Sequence, residues 1–261
     1  MSRIFVLAIV LLLGMGAAAP SQTLDVGNYR LSIQNNILIA LDHVSRRVIW
    51  QRPAPARAFG WLGGFGGVAV GVGTENKRYE VGPQSSKRYF TKPFKTVFAL
   101  NTRTGAEVWR SKTLRTQDEG VIGRVAIFSE PNTVYTFSVY HVVDIVTGKT
   151  VFGGQGSLEK FGDRLILSCL DAPTPYCDSN LAVAWLNLVT LESRGYIFEK
   201  PPLEDCDYIG DGDLEAKRFT LVHADFVLRV SCGYVFLRYR WDLPGGQVPV
   251  VRMLKEPQMP V

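Results

Sequence analysis

The 261-residue chain has little that marks an enzyme. Its three histidines, His43, His141 and His223, are scattered. There is no G-x-S-x-G nucleophile elbow and no H-E-x-x-H zinc helix. No C-x-x-C pair occurs and no His lies close to a Cys, so the common structural zinc classes are excluded. No sustained 3.6-residue apolar period exists, which excludes a helical bundle or a wound α/β fold. Beyond the N-terminal run no segment is apolar enough to span a membrane. The formal charge of +5 is mild and gives no footprint for nucleic acid. A carboxylate pair assembled from distant segments is the one catalytic arrangement these absences leave open.

The start, "MSRIFVLAIVLLLGMGAAAPSQ", has Arg3, an apolar stretch from Ile4 to Met15, and small residues at Gly16-Ala17-Ala18-Ala19. This order predicts a secretory signal peptide over residues 1–19, then a single domain over 20–261. The mature chain would be periplasmic or extracellular, with no membrane span of its own. Four cysteines in an exported chain predict two disulfides among Cys169, Cys177, Cys206 and Cys232. Three pairings are possible. We expect Cys169 with Cys177, closing "LDAPTPY", and Cys206 with Cys232.

One short stretch recurs in register. "IALDHVSRRVIW" begins at Ile39, "FALNTRTGAEVW" at Phe98 and "VVDIVTGKTVF" at Val142. Each polar anchor is followed eight residues later by an aromatic: Asp42 by Trp50, Asn101 by Trp109, Asp144 by Phe152. A fainter copy, "WLNLVT", starts at Trp185 with Asn187 and Thr190 in the same places. Asn101, Asp144 and Asn187 are 43 residues apart, a period that marks stacked sheet units. Each copy reads as a hairpin. The Asp or Asn accepts backbone N–H groups of the turn. Gly105 and Gly148 supply the left-handed residue that rejoins the strand through a bulge. Arg46 stands at that position in the first copy, so that turn is expected to deviate. The set "RFTLVHADFVLRVSCGYVFLRYRW" continues the strand pattern without the turn.

"ALNTRTGAEVW" and "VDIVTGKTVF" resemble the repeat of the pyrroloquinoline-quinone-type (PQQ-like) propellers, A-L-D-x-x-T-G-K-x-x-W. The resemblance covers most of residues 24–200 and the C-terminal quarter loosely. It implies an all-β fold, a β-propeller of about five four-stranded blades. The chain is too short for the eight blades usual in quinoprotein dehydrogenases and has no adjacent Cys-Cys pair. It is therefore expected to bind no quinone and to be no enzyme.

Three features stand outside the repeat. "GFGGVA", Gly64 to Ala69, has the letters of a dinucleotide fingerprint but is followed by a strand. It is read as a tight connection between blades. "EDCDYIGDGDLE" offers Asp205, Asp207, Asp211 and Asp213 as oxygen ligands for calcium, without EF-hand spacing. The step from Asp42 to Asn101 contains an insertion, residues 74–95, in which "KRY" occurs twice around "VGPQSS". It predicts a protruding basic and aromatic hairpin, with Lys77, Arg78, Tyr79, Lys87, Arg88 and Tyr89 as partner-binding residues. The expected role is a protein-binding scaffold of the cell envelope. The alternative is a glycan-binding protein or enzyme using a central channel or a calcium-bearing face.

Overall fold

The computed structural model describes residues 22–81, 88–112, 117–131, 138–169, 181–198, 214–241 and 250–257. The described residues form strands and turns with no helix, as alternation and β-branched runs require. Four antiparallel strands in chain order make each unit. The first has β1 (Thr23–Val26), β2 (Tyr29–Gln34), β3 (Ile37–Asp42) and β4 (Val48–Pro53). The second has β5 (Arg57–Phe65), β6 (Val68–Val81), β7 (Arg88–Asn101) and β8 (Glu107–Lys112). β9 (Gln117–Ile122), β10 (Val125–Pro131), β11 (Ser138–Asp144) and the start of β12 (Thr150–Phe161) make the third. β12 then pairs with β13 (Arg164–Cys169), followed by β14 (Leu181–Asn187) and β15 (Ser193–Phe198), to make the fourth. The fifth has β16 (Leu214–Phe219), β17 (His223–Val230), β18 (Gly233–Arg240) and β19 (Val250–Leu254).

The units pack face to face, and the core lies between them. Leu31, Leu38 and Ala40 of the first meet Phe59, Trp61, Phe98 and Leu100 of the second. Val70, Val97 and Ala99 of the second meet Phe128, Val143 and Ile145 of the third. Val142 and Phe152 meet Leu158, Leu165 and Leu186, joining the third to the fourth. Ile166, Val183 and Trp185 meet Phe226, Leu237, Tyr239 and Trp241, joining the fourth to the fifth. A sheet covered on both faces needs consecutive apolar residues, which explains runs such as Val68-Ala69-Val70. Each large side chain so buried contributes about 1.5–3 kcal/mol.

The recurring stretch is the turn between the third and fourth strands of a unit. Asn101 Oδ1 accepts the N–H of Arg103 and of Thr104, both at 3.0 Å. Asp42 does the same for Val44 and Ser45, and Asn187 for Val189 and Thr190. Asp144 accepts the N–H of Val146 and the Thr147 hydroxyl. In all four turns the residue four beyond the anchor donates its N–H back to the anchor carbonyl. That residue has positive φ throughout: Arg46 at 57°, Gly105 at 71°, Gly148 at 71° and Leu191 at 61°. The first turn therefore does not deviate as its Arg46 suggested. Its Asp42 and Ser45 bonds hold the arginine in the left-handed region despite a cost of about 1 kcal/mol.

The aromatic eight residues on reaches the next unit. Trp50 Nε1 donates to the carbonyl of Thr102 at 2.8 Å, and Trp109 Nε1 to that of Ile145 at 2.7 Å. Each indole lies on the turn glycine: a Cβ at Gly105 would sit 2.8 Å from the Trp50 ring, and one at Gly148 2.6 Å from the Trp109 ring. Phe152 is buried in the cluster against which Leu188 and Leu191 of the fourth unit pack. A one-residue register shift just before each anchor, at Ala40/Leu41, Ala99/Leu100 and Val142/Val143, aims these aromatics.

At the opposite edge, the first strands come close together. A Cβ at Gly64 would stand 2.6 Å from the Val26 side chain, and one at Gly63 2.6 Å from that of Val121. The glycines thus let β1, β5 and β9 meet. The "GFGGVA" segment does not connect two units, as expected, but turns β5 into β6 within the second one, with Gly66 and Gly67 at positive φ.

Candidate functional site

β6 and β7 are 14 residues each, longer than any other strand described. Their register is unbroken from Val68↔Asn101 to Val81↔Arg88. β5 pairs with β6 only as far as Thr74, and β8 with β7 only as far as Thr96. Beyond those points the backbone is a two-stranded ribbon, residues 75–81 against 88–94, carrying the insertion picked out in the sequence. Lys77, Arg78 and Tyr79 lie on β6, and Arg88 and Tyr89 on β7; Lys87 lies outside the described residues. The register separates residues that the sequence grouped. Arg78 stands opposite Thr91, whereas Arg88 stands opposite Val81, so the two arginines occupy opposite faces.

The base of the ribbon is tied down by charge. Glu75 accepts the Thr96 hydroxyl at 2.7 Å and an Arg110 N–H at 3.2 Å. Arg110 also binds Glu107 and stacks on the Phe98 ring, its guanidinium carbon 4.6 Å from the centroid. The hydrogen bonds it donates to the Glu107 carboxylate hold the guanidinium pKa above its ordinary value.

Two buried ion pairs escaped the sequence reading, which had Asp144 only as a turn anchor. Asp144 takes a two-pronged bond from Arg124 at 2.8 and 2.9 Å, which with the Thr147 hydroxyl holds its carboxyl at about 2 despite burial. Asp225 has no exposed surface and accepts Arg218 and Arg238, each at 2.7 Å at its nearest approach, with His223 Nε2 at 3.3 Å. Burial pushes that carboxyl up, but the two guanidiniums outweigh it and the net shift is downward. Arg218, Asp225 and Arg238 are paired across three neighbouring strands. The available signal was Asp225 alone, an acid set between the buried Ala224 and Phe226 of β17; Arg218 and Arg238 are part-exposed.

The calcium candidates Asp205, Asp207, Asp211 and Asp213 lie outside the described residues, as do Cys177 and Cys206. Cys232, in the turn from β17 to β18, is disulfide-bonded. The histidines do not converge. His43 lies 3.2 Å from Asp25 beside the first turn, while His141 is half-buried within β11.

No family model matches the sequence, and comparison with curated proteins returns no match. Solved structures do show similarity. A quinohemoprotein alcohol dehydrogenase from Comamonas testosteroni aligns with 90% of this chain at 12% identity and a TM-score of 0.34. The chain spans 43% of that protein's length. Apo AztD from Citrobacter koseri aligns with 87% of this chain and 70% of its own, at 12% identity and a TM-score of 0.29. Hydrazine synthase from Kuenenia stuttgartiensis aligns with 84% of this chain and 76% of its own, at 10% identity and a TM-score of 0.27. Scores this low carry no argument about activity.

Proposed function

We propose that the chain is an exported, non-enzymatic β-propeller of five blades that holds a protein partner in the cell envelope. The observation that carries the reading is the β6–β7 ribbon. An isolated two-stranded ribbon is marginal in water, so one that leaves its sheet needs a reason to persist. The tyrosines and arginines on it are among the types enriched at protein interfaces. The cysteines fit the exported compartment, with Cys169–Cys177 and Cys206–Cys232 as the proposed pairs.

The test is a chain in which residues 77–92 are replaced by a two-residue turn, which keeps Glu75 on Thr96 and Arg110 and the buried Phe94. It should melt at the same temperature as the parent, because the four-stranded part of the unit is untouched. A photoreactive residue at Tyr79 of the parent should crosslink one defined envelope protein in the native cell. That same protein should no longer co-purify with the shortened chain. Equal recovery with both chains would refute the role given to the ribbon.

A further inference from the structure

Because the register of β6 and β7 has no break, the faces of the buried part extend along the ribbon. Ala69, Phe98 and Leu100 face the first unit; Val70, Val97 and Ala99 face the third. Strand twist rotates these faces without exchanging them. Positions 77, 79, 81, 88, 90 and 92 therefore continue the side toward the first unit, and positions 78, 80, 89, 91, 93 and 95 the side toward the third.

The two sides differ in charge. The first-unit side holds Lys77, Arg88 and Lys92, and its one acid, Glu75, is already engaged by Arg110. The third-unit side holds Arg78 and Lys95 against Glu80. Lys77 and Lys92 are direct cross-strand partners, and the next pair on that side is Tyr79 with Phe90. Like charges placed directly opposite each other weaken a ribbon, whereas an aromatic pair supports it. A carboxylate arriving at the Lys77–Lys92 pair would turn the repulsion into attraction on both sides.

From this juxtaposition we infer that the first-unit side of the ribbon is a docking face for an acidic protein segment. Carboxylates of the segment meet Lys77, Lys92 and Arg88, and its apolar groups meet the Tyr79–Phe90 pair. The inference rests on the reading of the ribbon as an interaction element and adds the chemistry of the partner and the side it uses.

The probe is a fluorescein-labelled peptide alternating Glu and Thr, with a Lys–Thr peptide as control, titrated against the full chain by anisotropy. The acidic peptide should bind and the basic one should not. Its affinity should fall with added salt as the screening length shortens to about 8 Å at physiological strength. Two double variants carry the same change in net charge: Lys77→Glu with Lys92→Glu, and Arg78→Glu with Lys95→Glu. The first should weaken the acidic peptide at least about tenfold more than the second. Melting temperatures check that both variants fold. Equal losses would overturn the one-sided face, as would a parent chain that does not prefer the acidic peptide. Full binding by the chain lacking residues 77–92 would instead overturn the ribbon as an interaction element, and the face with it.

Discussion

The junctions made by the first two units and the junction between the fourth and fifth solve one packing problem differently. In the former an indole crosses to the next unit and donates to its turn, over a glycine. The fourth unit keeps the same turn, with Asn187 accepting Val189 and Thr190. Its register runs unshifted through Trp185↔Arg194 and Leu186↔Ser193, and the residue eight beyond Asn187 is Gly195. Without the bulge, and with Gly195 at the eighth position, no indole is delivered from there. Trp185 and Trp241 instead meet edge to face at 6.4 Å, with the Arg164 guanidinium 5.5 and 5.6 Å from their ring centres. Trp241 Nε1 donates to Thr220 within its own unit. The hydrogen-bonded turn and the lock between units are thus separable. The turn is local, and the lock requires the bulge.

The largest expected effect that tests this separation is at Gly148. A Cβ there must take a positive φ and displace the Trp109 ring, which is hydrogen-bonded to Ile145. Left-handed strain and overpacking together should make Gly148→Ala cost about 2–4 kcal/mol. Arg46→Ala in the first turn keeps a non-glycine residue at the same φ, so urea denaturation should give it a change within about 0.5 kcal/mol. A Gly148→Ala loss no larger than the roughly 1 kcal/mol of left-handed strain alone would mean that backbone strain, not the indole, sets the cost.

A smaller effect separates the anchors themselves. The unfolded Asp144 carboxyl titrates near 3.9, and Arg124 holds the folded one at about 2. A depressed folded pKa stabilises the chain fully above the unfolded value and fades as pH falls through the folded one. Asp144→Asn should therefore cost about 2 kcal/mol at neutral pH. It should also remove part of the acid sensitivity between about pH 4 and pH 2. Asn101, whose turn has no titrating anchor, is the natural control: Asn101→Ser should give a loss that does not vary with pH over that window. A difference between wild type and Asp144→Asn that is independent of pH would remove the ion pair from the account.

The repeat was legible because its chemistry is local. An Asx anchor, a Thr or Ser three residues on and an aromatic at the eighth position act within one hairpin, so spacing alone exposes them. Leu191 was not legible: a branched apolar residue carries no signal for positive φ, and the hydrogen bond and packing that hold it there form only in the fold. Asp225 with Arg218 and Arg238 was missed for a related reason, since their partnership comes from pairing across three strands. The insertion was legible as an interruption of the period. Its division into two faces was not, because a repeated "KRY" suggests equivalence while the register places Arg78 and Arg88 on opposite sides.

The third junction offers the finest test, since it lies between the two solutions. There Phe152 is smaller than an indole, and the turn residue packed against its cluster is Leu191, larger than glycine. Size at one position thus trades against size at the other across the interface. Phe152→Trp alone should overpack the site, and Leu191→Gly alone should leave a gap while relieving the backbone. Made together, they recreate the arrangement of Trp109 on Gly148, so the losses should not add. The double-mutant cycle, measured by urea denaturation, should give a favourable coupling of about 1 kcal/mol. The same cycle across Trp109 and Leu191, which belong to different junctions, should give none. Additive losses at Phe152 and Leu191 would mean that the third unit docks by burial alone. The turn would then owe its left-handed residue only to its own hydrogen bonds.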